Sequence, residues 1–125
     1  MKVKLVGVLG AAVLFLMFSG STWAHHGEAN YDTTKTVSIK GTVADFEFIN
    51  PHVQVSIDVK GSDGNVEHWI CEATSPNMLV REGWDKNTMK QGDVITASGY
   101  RAKNGSTTLR LTKILTPDGK EHDHL

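Results

Sequence analysis

Cysteine is the scarcest residue in this sequence, since the chain of 125 residues contains only Cys71. One cysteine cannot form a disulfide within the chain, even in an oxidising compartment where disulfides persist. The domain must therefore be held together by its hydrophobic core, and we expect Cys71 to be a buried, unreactive thiol. The sequence also lacks internal repeats and low-complexity segments, and its length allows one domain with a modest core.

Long apolar stretches are missing too, apart from one at the start of the chain. Lys2 and Lys4 precede an apolar run over 5–18, and small or polar residues follow up to Ala24. This run of about 14 residues is too short to cross a bilayer of roughly 30 Å as a helix. It is typical of a secretory signal peptide, so we predict that residues 1–24 are removed after Ala24. The product would be periplasmic or secreted in a bacterium, with no stable membrane insertion after cleavage. An uncleaved N-terminal anchor is the alternative.

The exported part of the chain has little positive charge. Two of the 13 basic residues and none of the 14 acidic residues lie in 1–24, which leaves 11 basic against 14 acidic residues and a formal charge of −3. Domains that bind nucleic acid need a basic stripe to neutralise phosphates. We therefore predict no nucleic-acid partner, and expect a small ligand or a metal ion instead.

Alternating apolar residues predict a long first strand. The alternation over 37–43 slips by one position before Phe46 and Phe48, which indicates a β-bulge near Ala44-Asp45. The Asn50-Pro51 pair ends this strand, because proline cannot donate to a strand ladder. A long strand with a bulge is a strand that bends.

Two further strands follow, joined by a turn at 61–64. The second strand, 53–59, alternates cleanly between apolar and polar residues. The third, 66–73, is apolar on both faces, so its register stays open. We expect this third strand to be covered on both sides.

The helical passage comes next. Ser75 can cap a helix that begins at Pro76, where the missing N–H costs nothing, and Gly83 stops it. Two more strands are predicted at 94–100 and 107–115.

This order of elements predicts a mainly β fold, a five-stranded barrel like the oligonucleotide/oligosaccharide-binding (OB) barrel, with one short helix between strands three and four. The barrel would span 36–116, between an N-terminal lead at 25–35 and a flexible, charged tail at 117–125. An open five-stranded sandwich is the alternative arrangement.

Several short motifs are spread over nearly the whole exported chain. They are His25-His26-Gly27, Tyr31-Asp32, Gly41-Thr42-Val43, Asn50-Pro51-His52, Trp69, Ser75-Pro76-Asn77, Gly83-Trp84, Gly92-Asp93 and Gly105-Ser106. In this combination the chain resembles a family of small exported bacterial proteins catalogued as a domain of unknown function. The resemblance implies export and a small β fold, and it supplies no reaction. The two histidines near the end of the chain depart from the pattern, so it implies nothing about them.

The histidines carry the most informative chemistry. If cleavage follows Ala24, His25 becomes the first residue and offers its α-amine and its ring nitrogen as a chelate. An amine titrates near pH 8 and an imidazole near 6.5, so both release their protons to a metal at modest cost. One more imidazole, from His26 or His52, would give three nitrogens in a T, which suits Cu(II). This arrangement resembles the histidine brace of copper oxygenases and copper carriers, although nothing else in the chain does.

His52 follows Asn50-Pro51 at the mouth of the loop between the first two strands, the usual ligand end of this barrel. Glu28 or Asp32 would supply a hard ligand, or an acceptor behind a coordinating imidazole. The metal-site prediction is therefore His25, His26 and His52, with copper as the possible cofactor. In the alternative interpretation, the terminal histidines bind nothing.

The remaining histidines and the aromatic residues carry weaker signals. His68 lies too far along the hairpin to share an ion with His52, so we expect a structural role for it. His122 and His124 would be weak tail ligands at most. The aromatic side chains would either fill the core or stack on a sugar or base; these are Trp69, Trp84 and Tyr100.

Three functional hypotheses follow. The first is an exported periplasmic binding module that holds a copper-type ion or a small ligand near the mature N-terminus. The second is a metal-free β-barrel interaction domain that recognises a protein or a glycan. The third, a copper-dependent oxidase, would need an exposed and redox-active ion. Hydrolase chemistry is disfavoured, because no serine lies in a nucleophile elbow and Glu67 and Glu72 face opposite sides of one strand.

Overall fold

The computed structural model describes residues 26–125, and for His26 the backbone alone. The predicted signal peptide, 1–24, and the predicted ligand His25 lie outside the described residues. In chain order the elements are α1 (His26–Ala29), β1 (Val37–Glu47), β2 (Gln54–Lys60), β3 (Val66–Glu72), α2 (Pro76–Arg81), β4 (Val94–Arg101), β5 (Thr108–Leu115) and β6 (Glu121–Asp123). Within 26–125, no helix combines the length and apolar character that a membrane crossing requires.

The strands form one sheet in the order β3-β2-β1-β4-β5-β6. All neighbours in this order are antiparallel, and a parallel pairing of β3 with β5 closes the first five strands into a barrel. The helix α2 lies between β3 and β4 in the chain. The predicted five-stranded OB-like barrel with one short helix at this position is confirmed.

The first strand bends as its sequence pattern predicts. Its N-terminal half pairs with β4 and its C-terminal half pairs with β2. The register with β2 shifts between Val43 and Asp45, so the predicted bulge is confirmed. This shift allows one strand to serve two neighbours that lie on different sides of the barrel.

Two glycines permit the close approach of strands at the bends. A Cβ at Gly41 would stand 2.5 Å from the carbonyl oxygen of Asp58, and a Cβ at Gly99 would stand 1.9 Å from that of Arg110. The second glycine also lies where the register of β4 with β5 shifts. Any side chain at either position would push two strands apart.

The barrel interior is filled by apolar side chains from all five strands, together with Leu79 of α2 and residues of the following connector. Cys71 lies in this core, and burial raises the pKa of its thiol to about 12. Trp69 and Trp84 are 5% and 2% exposed. Both indole rings therefore belong to the core and cannot serve as stacking platforms for a sugar or base.

The outer face of β3 differs from the expectation of two covered sides. Trp69 and Cys71 point into the core, whereas Val66 and Ile70 are 51% and 48% exposed. In a closed barrel each strand has one inner and one outer face, so apolar residues on both faces do not require two covering layers. The expectation of a strand covered on both sides is wrong.

The C-terminal segment differs from the predicted flexible tail at 117–125. Its residues Glu121–Asp123 form β6, which pairs with the last part of β5. Lys113 of β5 forms ion pairs with Glu121 and Asp123. The Trp84 Nε1–H donates to His122 Nδ1 over 3.2 Å. Glu121–Asp123 is a polar segment. Its contacts with earlier residues of the chain hold it in an ordered conformation.

Candidate functional site

The N-terminal lead is attached to the barrel at the end where the β4–β5 loop emerges. Tyr31 forms an isolated antiparallel bridge with Ala102, and the Asp32 amide donates to the carbonyl of Arg101 over 2.9 Å. The Lys103 amide donates in turn to the carbonyl of Asn30 over 2.8 Å. These bonds fix the course of the chain immediately after α1.

A cavity of about 190 Å³ lies beneath this lead, and its walls come from four separate parts of the chain. The lead, the β1–β2 loop, β3 and β5 all contribute. Its lining residues are Gly27, Glu28, Tyr31, His52, Glu72 and Arg110. The structure therefore brings His52 beside the lead, and of the predicted hard ligands it places Glu28 in the same wall.

A chain of hydrogen bonds links three of these side chains. His52 Nδ1 lies 2.5 Å from Glu72 Oε1, and the Tyr31 hydroxyl donates to Glu72 Oε2 over 3.1 Å. Burial raises the pKa of Tyr31, and the charge and hydrogen bond of Glu72 raise it further against the opposing charge of Arg110. The phenol is therefore held protonated as a donor. Within residues 27–125, His52 Nε2 has no hydrogen-bond partner.

Arg110 completes the wall from β5. It stands beside Glu72 in the parallel register of β3 with β5, and its guanidinium donates to the Ala73 carbonyl over 2.7 Å. The cavity thus holds two carboxylates, from Glu28 and Glu72, against one guanidinium. Within residues 26–125, no three His, Cys, Asp or Glu residues are grouped to hold a metal ion. A site with three His, Cys, Asp or Glu ligands here would therefore need at least one donor that precedes Gly27.

The other predicted ligands lie elsewhere. The Asp32 carboxylate accepts from the Thr34 amide and hydroxyl, and these bonds lower its pKa. It therefore stabilises a turn and is absent from the cavity wall. His68 pairs with Asp58 on the outer face of the β2–β3 hairpin, with its side chain 81% exposed.

The two C-terminal histidines do not line this cavity either. The ring of His122 packs edge-on against Trp84 with centroids 5.2 Å apart. Its Nε2 lies 3.3 Å from the hydroxyl of Thr116. His124 has a positive φ of 63°. The sequence predicts at most a weak tail ligand at His122. The structure instead packs this histidine against Trp84, which is a structural role.

Sequence reasoning missed Glu72, Tyr31 and Arg110. The role of Glu72 depends on the register of β3, which places it opposite Gln54, close to His52. The pairing of β3 with β5 then adds Arg110. One signal was available: Tyr31 belongs to a motif that carries the family resemblance, next to Asp32.

A larger open groove of about 530 Å³ adjoins the cavity and shares Gly27, Tyr31 and Glu72 with it. The β4–β5 loop forms much of its far wall. Arg101 braces this loop by donating to the carbonyls of Ser106 and Gly105 over 3.1 and 2.6 Å. Its guanidinium also lies 5.1 Å from the centre of the Trp69 ring. The groove therefore has a braced far wall, and its lining is both polar and apolar.

Comparison with known protein families identifies the chain at family level. The model of a family of unknown function, DUF6152, matches residues 13–110. The chain belongs to DUF6152. The predicted resemblance to a family of unknown function is thereby confirmed. No curated protein shows significant similarity to this DUF6152 chain.

Solved structures with the same fold include two of different kinds. The mitochondrial single-stranded DNA binding protein Rim1 from S. cerevisiae is similar at a TM-score of 0.51 and 14% identity, over 66% of this chain and 93% of Rim1. A ZRD-deleted mutant of TiaS in complex with agmatine is similar at a TM-score of 0.52 and 22% identity. That match covers 72% of this chain and 26% of TiaS. At these identities the likeness establishes the fold of the DUF6152 barrel alone.

The likeness to Rim1 corrects one expectation. The sequence-based exclusion of a nucleic-acid partner does not stand, because a barrel of the same fold serves a single-stranded DNA-binding protein. Net charge describes residues 25–125 as a whole, whereas OB barrels bind single strands through a local groove and stacking side chains. A formal charge of −3 is therefore too coarse a property to exclude that class of ligand.

Proposed function

We propose that this chain is an exported binding module that holds a copper-type metal ion between its mature N-terminus and His52. Export is proposed from the basic start, the short apolar run over 5–18 and the small residues before Ala24. The metal ligands of this proposal are His25, His26 and His52. The proposed location is the periplasm or the extracellular space.

One observation carries the proposal: Gly27 and Glu28 line the same cavity as His52. An extended chain spans at most about 3.6 Å per residue. His25 precedes Gly27 by two residues, so the two Cα atoms can be at most roughly 7 Å apart. That distance is compatible with a shared ion. The α-amine and imidazole of a first-residue histidine would supply two nitrogens, and His52 would supply a third.

The chemistry of the cavity supports a cation. His52 Nε2 has no hydrogen-bond partner within residues 27–125 and lies on the ring edge away from Glu72. Two carboxylates, from Glu28 and Glu72, outnumber the guanidinium of Arg110 in the wall. A bound divalent ion would gain from this excess negative charge, and the carboxylate behind the imidazole raises its basicity as a ligand.

The proposal predicts that copper binding depends on the first residue being His25. N-terminal sequencing of the exported protein should return His25, and calorimetric titration with Cu(II) should show tight binding. An extra alanine placed before His25 should abolish that tight binding, because the α-amine then no longer belongs to a histidine. Equal affinity in the extended protein would rule out the amine chelate.

His52→Ala tests the third nitrogen, with His68→Ala as its matched control. The two histidines belong to the same hairpin region, and each has a carboxylate 2.5 Å from Nδ1. His52→Ala should weaken Cu(II) binding by roughly 100-fold, as expected for losing a ligand that contributes about 3 kcal/mol. His68→Ala should leave affinity unchanged. If neither the wild type nor the variants bind metal, the preferred function becomes recognition of a protein or glycan by a metal-free domain.

A further inference from the structure

Two cavity residues, Glu72 and Tyr31, are hydrogen-bonded in one chain with His52 and lie outside the proposed ligand set. Glu72 is a carboxylate whose two oxygens face different partners, His52 on one side and Tyr31 on the other. The three side chains come from separate segments, with 20 positions between His52 and Glu72 and 41 between Tyr31 and Glu72. Such a connected chain of polar groups constrains where each proton lies.

We infer that Glu72, held by Tyr31, is a positioning residue that keeps the proton of neutral His52 on Nδ1 and leaves the lone pair on Nε2. The tautomer assignment stands independently of any metal. Its consequence for the ion, a pre-oriented Nε2 ligand, rests on the proposed function. The inference adds Glu72 and Tyr31 to the site as groups that act through His52 without touching the ion.

The direction of each hydrogen bond follows from the chemistry of the groups. An ionised carboxylate has acceptor sites only, so whatever faces it must donate. Tyr31 donates its hydroxyl proton to Oε2, and the raised pKa of this phenol keeps that proton in place. Nδ1 of His52 must likewise carry a proton in order to donate to Oε1. A neutral imidazole holds one proton, so Nε2 then carries the lone pair.

The surroundings of Glu72 explain why it can hold the ring. Its side chain is 25% exposed, against 46% for His52, so the carboxylate is the more enclosed partner. β3 fixes its backbone between β2 and β5, and Arg110 stands beside it in the register. The backbone of Glu72 is thus fixed by both neighbouring strands, and its carboxylate is held at Oε2 by the Tyr31 hydroxyl. Removing a hydrogen-bonded partner of this kind from behind a metal ligand typically lowers metal affinity by about 10–100-fold.

The same hairpin contains a matched control. His68 Nδ1 lies 2.5 Å from Asp58 Oδ1, the same separation as in the His52–Glu72 pair. This second pair is 81% and 40% exposed and lies on the outer face, away from the cavity wall. A change to Asp58 therefore reproduces the loss of a carboxylate behind an imidazole without touching the cavity.

The first experiment reads the tautomer without metal. Nitrogen-15 NMR of the metal-free exported protein at about pH 9, above the ordinary imidazole pKa of about 6.5, separates protonated from unprotonated ring nitrogens. We expect His52 to carry its proton on Nδ1 in the wild type. Glu72→Gln should shift the population toward Nε2–H, and Glu72→Ala should remove the bias. A wild-type His52 protonated mainly on Nε2 would overturn the inference.

The second experiment reads affinity, by competition titration of Cu(II) against a chelator. Glu72→Gln should bind about 10–100-fold more weakly than the wild type. Tyr31→Phe should shift affinity in the same direction by less, and Asp58→Asn should not shift it. Undiminished binding by Glu72→Gln would overturn the positioning role while copper binding stands. A wild type that shows the expected tautomer and binds no copper would overturn the proposed function alone.

Discussion

Glu72 is the residue on which the geometry of the cavity depends most. It is the only cavity side chain that contacts two others by hydrogen bonds within residues 27–125, and it stands next to Arg110 across the barrel closure. Its neighbour Cys71 points the opposite way, into the core. Two consecutive residues of β3 therefore serve different purposes, one in the site and one in packing, because successive side chains of a strand face opposite sides.

Cys71 should be chemically inert in the folded protein. Burial raises the pKa of its thiol to about 12, so at pH 8 only about one molecule in ten thousand carries the reactive thiolate. We expect no labelling by iodoacetamide in native buffer and complete labelling in denaturant, measured by mass spectrometry. Rapid labelling of native protein would show that β3 leaves the core on the timescale of the reaction.

At the scale of elements, β6 shows how a short polar segment becomes ordered. Its pairing with β5 is brief, but His122 accepts a hydrogen bond from the buried Trp84 Nε1–H and lies against the edge of that ring. Thr116 also contacts the other ring nitrogen, Nε2. The segment is thus attached to the core by one side chain and to the sheet by its backbone.

His122→Ala should lower the free energy of unfolding by about 1–3 kcal/mol, because the buried Trp84 N–H loses its acceptor. The measurement is urea unfolding followed by tryptophan fluorescence. His68→Ala is the matched control, since its side chain is 81% exposed, and we expect it to change stability by less than about 0.5 kcal/mol. Equal effects of the two substitutions would show that the bond to Trp84 does not stabilise the fold.

The elements of the barrel could be predicted because their signals are local. The phase slip before Phe46 marks the bulge of β1, and Pro76 with Gly83 bounds α2. The register of β3 could not be predicted, because apolar residues occupy both of its faces and periodicity cannot choose between them. The identity of the site as a whole depended on that register, since it decides what stands beside His52.

The same reasoning explains why β6 was expected to be flexible. Its three residues are Glu121, His122 and Asp123, a polar run with no alternating pattern. What orders it is a partner 38 positions back in the chain, Trp84. Interactions between distant positions leave no periodic trace in a sequence, so they are found only when the fold is known.

At the scale of the whole molecule, three turns are stabilised by aspartates that share one design. Asp32, Asp63 and Asp118 each accept hydrogen bonds from residues two positions along or two positions before. These bonds lower the pKa of all three carboxyls below the ordinary 3.8. The three turns lie in different parts of the fold. Protonation of their aspartates would therefore weaken the fold in several places at once.

Stability should therefore fall in acid. A carboxyl whose folded pKa is lowered contributes stability that is present above the unfolded value of 3.8 and is lost as pH falls through the folded value. We expect the urea midpoint to stay level from about pH 7 to 5 and to drop below about pH 4. Replacing all three aspartates with asparagine should flatten that drop. An unchanged loss of stability below about pH 4 would show that other groups cause it.

The parallel pairing of β3 with β5, which closes the barrel, also affects when the site forms during folding. Ala73 and Arg110, which meet across it, are 37 positions apart, and parallel pairing between such distant segments is slow to form. The walls around His52 are consequently complete only when the barrel has shut. A chain that passes through a secretion channel unfolded would carry its imidazoles as scattered, weak donors. Under the proposed function, the site around His52 would form only when the chain folds after export, so metal uptake would follow folding.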